Sequence, residues 1–458
     1  MKTECGVLGL WTPKLEMVNL IKPLLLKLQH RGQDSSGIGY IENESGEIKV
    51  QKALGKVDNL IGSSVSHEAQ YFIGHTRYTT SSKEKSLIDS AHPIIGSFKG
   101  LSFSFVFNGN IPDVENDTEF IKIFFSDTEK TTFIDTLKDF IKRVPRAYNI
   151  IFIYENKLWV IRDPYGTRPL NIMIAIDGSV FIASETCVFD TLPDKQMNFT
   201  TDIKPGHITK IENGYIQNTE VLKLPHNAFC LFEYIYFMKP DSNSQEPKKS
   251  VGEVRKLFGK QLAIQELNEN EVRNSIVFND KNTIVTSIPN TANDYAMGYA
   301  QEMGLEFVPA LKKQNSSLRT FIEPTQAERA AASRKKYIYD ESLIRNKHVI
   351  LVDDSIVRGV TIKNIAEKIR EFGPKSIHIR IGCPAIINTC NLGVDMSSEA
   401  ELIANQHLDI ESIRDTLVVD SLIYLKLENI NEAVNLSNFC SGCMNGNYNG
   451  CNSRDLEW

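Results

Sequence analysis

In 458 residues there is no apolar run long enough to cross a bilayer. The opening MKTECGVLGLW has neither the charged nor the apolar sector of a secretory signal. Both lacks point to a cytoplasmic protein with no membrane partner. Cysteine is sparse, eight residues in all, too few for a disulfide scaffold at this length. In a reducing compartment those thiols are left for nucleophilic, metal-binding or packing roles. A basic excess is missing too: 51 Lys and Arg face 57 Asp and Glu, which argues against a nucleic-acid partner. No repeat or low-complexity block interrupts the chain. The apolar share of 41% and charged share of 24% are those of a globular protein, and the length calls for two domains or three.

Residues 5–240 read as short strands parted by Gly, Asn and Asp turns, with a few helices, the pattern of an α+β layered domain. Leu15 to Gln29 carries a broad apolar face and predicts a helix, as do Phe120–Phe125 and Phe133–Arg143. The polar stretch PDSNSQEPKKS, 240–250, marks a boundary. Residues 241–430 then alternate apolar strands with amphipathic helices, the rhythm of an α/β domain with a parallel sheet. Residues 431–458 end in an asparagine- and cysteine-rich tail.

The strongest local signal is VILVDDSIVRGVT, Val349 to Thr361. An apolar strand ends in Asp353 and Asp354. The loop Ser355, Ile356, Val357, Arg358, Gly359, Val360 and Thr361 then leads into a helix. Ligands of open α/β sheets sit beyond the carboxyl ends of strands, and N–H groups at a helix start cradle phosphate. Adjacent carboxylates suit ribose hydroxyls or Mg²⁺, so the pattern fits a sugar phosphate. It resembles the phosphoribosylpyrophosphate (PRPP) signature of type I phosphoribosyltransferases.

The first half carries a second set of polar loops: ECGVLG, LQHRGQDSSGI, GHTRYTT, FNGN, SDTE, RDPYGTRPL and ASET. Amide hydrolysis needs a nucleophile, a base, an oxyanion stabiliser and clamps for the charged ends of the substrate. Cys5 could attack, with its own α-amine as base once residues 1–4 are removed. Asn108 and the Gly109 N–H could hold the oxyanion. Arg77 could pair with an α-carboxylate and Asp127 with an α-ammonium. Each has a plainer alternative: Arg77 a surface charge, Asp127 a helix cap, Asn108-Gly109 a hairpin turn.

Taken together, these loops resemble a class II glutamine amidotransferase of the N-terminal nucleophile hydrolase type. With the PRPP loop, and with CLFEYIYFMKPDS and RTFIEPTQAER, the chain is similar to the glutamine PRPP amidotransferase family from Cys5 to Cys443. The resemblance implies a four-layer αββα domain followed by a type I phosphoribosyltransferase domain. It implies ammonia released from L-glutamine at Cys5 and channelled to PRPP to make 5-phosphoribosylamine, the first step of purine synthesis. It further implies a propeptide, MKTE, removed autocatalytically, Mg²⁺, purine nucleotides as inhibitors, a homotetramer, and a lid around RTFIEPTQ with Lys313 as a pyrophosphate contact.

The CSGC near the end is by itself a weak metal signal, and four thiolates hold either Zn²⁺ or an iron–sulfur cluster. The resemblance implies a [4Fe–4S] cluster on Cys230, Cys390, Cys440 and Cys443, rather than zinc; Cys383 and Cys451 are spare thiols that could replace one of these ligands, and Cys187 reads as buried filler. The chain departs from the family at SIPNTAND, where Asn290 replaces a typical Asp among the residues facing Mg²⁺. A glutaminase, or an inactive paralogue, whose second domain only senses PRPP or nucleotide is therefore the alternative reading.

Overall fold

A computed structural model describes residues 5–60, 68–78, 88–111, 114–144, 147–191, 197–224, 226–244, 247–273, 281–314, 337–396, 398–434 and 439–448. Residues 1–4, the RTFIEPTQ stretch and Cys451 lie outside them.

The first half is built from thirteen strands: β1 (Gly6–Met17), β2 (Ser35–Ile41), β3 (Ile48–Leu54), β4 (Glu68–Arg77), β5 (Ile94–Phe98), β6 (Leu101–Gly109), β7 (Tyr148–Ile153), β8 (Leu158–Arg162), β9 (Asn171–Ala175), β10 (Val180–Ala183), β11 (Met197–Asp202), β12 (His207–Glu212) and β13 (Tyr215–Glu220). They form two antiparallel sheets. One has seven strands in the order β11-β9-β10-β1-β4-β2-β3; the other has six in the order β13-β12-β8-β7-β6-β5.

Alternation along each strand dictates the layering. Leu8 and Leu10 of β1 join Ile21, Leu24 and Leu25 of α1 (Ile21–Lys27) on one outer face. Val7 and Trp11, on the other side of β1, meet Val106, Ile151 and Val160 of the second sheet. Ile150 and Phe152 turn outward onto α2 (Asp117–Ser126) and α3 (Phe133–Arg143), in a cluster rich in phenylalanine. The result is helix, sheet, sheet, helix: the αββα arrangement expected.

The predicted helix from Leu15 to Gln29 is shorter than its apolar face. Strand β1 runs on to Met17, paired with Glu68, and only Ile21–Lys27 is α-helical. An apolar run that a sheet edge can pair is not free to coil, so tertiary pairing overrides the periodicity.

The second half holds a five-stranded sheet, all parallel, in the order Glu306–Phe307, Thr283–Ser287, His348–Asp353, Ser376–Ile381, Ser421–Tyr424. Helices α4 (Val251–Arg273) and α5 (Asn293–Met303) and the helix Val360–Glu371 pack on it. The segment before the polar boundary joins this second core: Leu231, Phe232, Tyr234, Ile235, Phe237 and Met238 are buried among its residues.

Candidate functional site

Cys5 stands at the start of β1. The register Gly6↔Thr76 and Val7↔His75 brings it beside Arg77, the last residue of β4. The second sheet closes onto the same end, because His75 Nε2 is 2.8 Å from the Phe107 carbonyl, one residue before Asn108. Cys5 Sγ is 3.9 Å from the Tyr78 carbonyl. Burial pushes its thiol up from the ordinary range, and the Arg77 and Arg31 guanidiniums pull it back. Arg77 is itself buried and donates to Ser90 Oγ at 2.5 Å. It is no surface charge.

Asn108 and Gly109 end β6 and pair with Asn149 and Tyr148. They are strand residues, not a hairpin turn. Asn108 is 2% exposed, and its Nδ2 is a buried donor with no partner among the described residues. A buried amide donor without an acceptor is costly unless a ligand completes it. At Gly109 the backbone is too close to Ala147 for a side chain: a Cβ would lie 2.5 Å from its carbonyl oxygen. Only glycine lets the main chain run this close to Ala147 and Tyr148.

Asp127 does not join this group. It caps the C-terminal end of α2, exposed, with its N–H bonded to Ile123. The acid that the fold places here is Asp117, at the opposite end of α2, roughly 15 Å along the helix axis. Its carboxyl accepts from the Ile111 backbone, two residues after Gly109, and burial pushes its pKa up to about 6. The next residue, Thr118, reaches His92, whose ring lies 4.5 Å from that of His75. The tetrads NDTE and SDTE, 116–119 and 126–129, share Asp-Thr-Glu. The signal that separates them is Asn116, an N-cap accepting from the Glu119 N–H at 3.0 Å, which starts a helix at the first copy.

The second site lies at the carboxyl end of the parallel sheet, as strand polarity requires. Asp353 ends its strand and Asp354 follows, 6% exposed, its pKa pushed up to about 6 by burial. The Asp354 N–H donates to Asp353 Oδ1 at 3.0 Å, and Ser355 Oγ donates to Asp354 Oδ1 at 2.8 Å. Gly359 caps the helix Val360–Glu371 at φ +74°, and a Cβ there would meet Ile403 Cδ1 at 2.4 Å. Ile356 is buried in the core, whereas Arg358, Val360 and Thr361 face outward, Arg358 paired with Glu401 at 2.9 Å. Ile288 N bonds Val352 O at 2.9 Å, so the loop that carries the exposed Asn290 leaves the sheet next to the strand that ends in the acid pair. Lys313 is opposite Tyr337, whose phenol feels the charge of Asp353.

The four cysteines converge. Phe229–Cys230 pairs in parallel with Phe439–Cys440, setting Cys230 beside Cys440. Cys390 acts electrostatically on Cys230, Cys440 and Cys443, and the Cys443 carbonyl accepts from Ile387 and Asn388. All seven described cysteines are free thiols. Among the described residues no group of three or more His, Cys, Asp or Glu side chains closes to metal-binding geometry. Cys187 is buried beside Glu185, a packing residue as expected.

Residues 257–385 match the phosphoribosyl transferase domain model. The amidophosphoribosyltransferase of Archaeoglobus fulgidus is 33% identical over 97% of this chain and 97% of its own. The chain belongs to the amidophosphoribosyltransferase family. The chloroplastic amidophosphoribosyltransferase of Glycine max is 31% identical over 98% of this chain and 78% of its own length. The structure of the Bacillus subtilis glutamine PRPP amidotransferase with ADP and GMP superposes with a TM-score of 0.83 at 29% identity, covering 97% of both chains. The reaction is accordingly that of an amidophosphoribosyltransferase: PRPP, glutamine and water give 5-phosphoribosylamine, glutamate and pyrophosphate, the first step of purine synthesis. No helix among the described residues is long and apolar enough to cross a membrane.

Proposed function

We propose that Cys5 is the glutaminase nucleophile and that the Asp353–Thr361 loop binds PRPP. The observation that carries the first assignment is the buried, unpartnered Asn108 amide at the strand end beside Cys5 and Arg77. Cleavage before Cys5 frees its α-amine. That amine takes the thiol proton as sulfur attacks the glutamine amide carbon, while Asn108 Nδ2 and the Gly109 N–H receive the oxyanion. The proton passes to the leaving nitrogen, ammonia departs, and water resolves the thioester to glutamate. Arg77 holds the α-carboxylate, and Asp117, in place of Asp127, the α-ammonium.

At the second site Asp353 and Asp354 hold the ribose hydroxyls, and the loop N–H groups from Ser355 to Thr361 hold the 5-phosphate. The carboxylate pair and the Asn290 amide suit Mg²⁺, which when bound draws charge from the pyrophosphate leaving group. Lys313 faces that pyrophosphate. Ammonia attacks C1 of the ribose and pyrophosphate leaves.

Four thiols from three distant segments, Cys230, Cys440 and Cys443 buried and Cys390 half-buried, match the donor set of a [4Fe–4S] cluster, which would tie the tail and the Cys390 loop to the segment before α4. Purine nucleotides as inhibitors are supported by the nucleotides bound in the Bacillus subtilis structure. A homotetramer and a cytoplasmic location complete the reading. It is tested with Cys5→Ala. Glutamine-dependent synthesis is abolished while ammonium-dependent synthesis continues; glutamine use surviving in Cys5→Ala overturns it.

A further inference from the structure

Resting on the assignment of Cys5 as nucleophile, we infer that Arg31 is a positioning residue for that nucleophile, held in place across the junction by Glu233. A terminal residue lacks the preceding peptide that anchors an ordinary one. What remains to fix Cys5 is its own carbonyl and the strand that follows. That carbonyl accepts from Arg31 Nε at 3.1 Å.

Arg31 is 1% exposed and cannot choose its own direction. Its Nη1 donates to Glu185 at 2.7 Å and to Glu233 at 3.1 Å, and its Nη2 donates to Glu233 at 2.8 Å. Glu185 is fixed from four sides. It meets Arg31 and His30 Nε2, both at 2.7 Å, and the Lys239 N–H and Ser242 Oγ, both at 2.8 Å. Glu233 comes from the other core. It opens the short helix Glu233–Phe237, whose Tyr234, Ile235 and Phe237 are buried among the transferase residues. That helix is clamped in turn. Arg255 donates to the carbonyls of Tyr234 and Met238, both at 2.8 Å, and the Tyr295 hydroxyl donates to the Ile235 carbonyl at 3.1 Å.

The planar guanidinium thus spans three acceptors: one carbonyl of the nucleophile, one carboxylate of its own layer and one carboxylate of the neighbouring core. Only the fork of an arginine fits such a set. Removing the Glu233 charge leaves Arg31 neutralised by Glu185 but free to turn about Cγ–Cδ. The Cys5 carbonyl then loses a fixed partner, and the amine and sulfur on the same residue lose their bearing on the amide.

The experiment compares Glu233→Gln, Arg31→Lys and Cys5→Ala with the parent. For each, glutamine-dependent and ammonium-dependent synthesis are measured on one preparation, with the rate of Cys5 alkylation by a chloroketone analogue of glutamine. For Glu233→Gln the expected result is a tenfold or greater fall in glutamine kcat and in alkylation rate. The glutamine KM and the ammonium-dependent rate stay within twofold. Arg31→Lys, which keeps the charge but not the fork, shows the same split. A Glu233→Gln or Arg31→Lys protein with glutamine kcat within twofold of the parent overturns the inference. So does a fall shared equally by the ammonium reaction, which marks a purely structural pair. If Glu233→Gln does not fold, Arg31→Lys decides by the same two readings. Glutamine use persisting in Cys5→Ala rejects the nucleophile itself, a different failure.

Discussion

Asp117 begins the helix that Asp127 ends, and only the first of the two is brought to the Asn108–Gly109 strand end. A charged hydrogen bond of about 1.5–3 kcal/mol, lost when Asp117 becomes Asn, corresponds to a rise in glutamine KM of about 10- to 100-fold. Asp127→Asn, exposed at the helix end, leaves that KM unchanged. Steady-state kinetics on the two variants check the assignment.

Burial sets the sign of a pH effect at the same residue. The Asp117 carboxyl titrates at about 6, above an exposed aspartate, so its neutral form persists to higher pH. The neutral form cannot pair with an ammonium. Glutamine KM therefore rises as pH falls through about 6, a limb that Asp117→Asn removes. A KM profile from acid to neutral pH, with both proteins, reads this directly.

Asn108 Nδ2, the side-chain donor proposed for the oxyanion, is buried and engaged by no described acceptor. Asn108→Ala lowers glutamine kcat by about 10²–10³, the usual loss for one oxyanion donor, with little change in the ammonium reaction.

Gly359 holds φ +74° against Ile403. An alanine there costs about 1–2 kcal/mol in backbone conformation alone and forces the Ile403 side chain aside. Gly359→Ala raises the PRPP KM by roughly tenfold in both the glutamine and the ammonium reactions. An unchanged PRPP KM would remove this loop from the site.

Protein purified without oxygen should carry iron and sulfide in equal amounts. Cys230→Ser and Cys440→Ser, at the paired strand positions, lose both, whereas Cys187→Ser keeps them. Zinc without sulfide would replace the cluster with a zinc site.

Local features were the legible ones. Val349–Val352, two acids and Gly359 define strand, loop and helix start within a few residues, and the fold keeps all three. The alternation at Phe152 and Ile151 carries the layering for the same reason. Other features depended on distant partners. The choice between Asp117 and Asp127 turns on which end of a helix is buried, although the Asn116 cap was in plain sight. The strand extension to Met17 needed Glu68 as partner. The Arg31–Glu233 pair joins residues 202 apart, and nothing near either one announces the other.

The most direct test of the two-site account is isotopic. Amide-¹⁵N glutamine and PRPP are turned over in a bath of unlabelled ammonium, and the nitrogen of the 5-phosphoribosylamine is read by mass spectrometry. The account predicts ¹⁵N product at near-full enrichment, because ammonia made at Cys5 reaches the Asp353–Thr361 loop without mixing. Product nitrogen that follows the bath in proportion to its ammonium would contradict it.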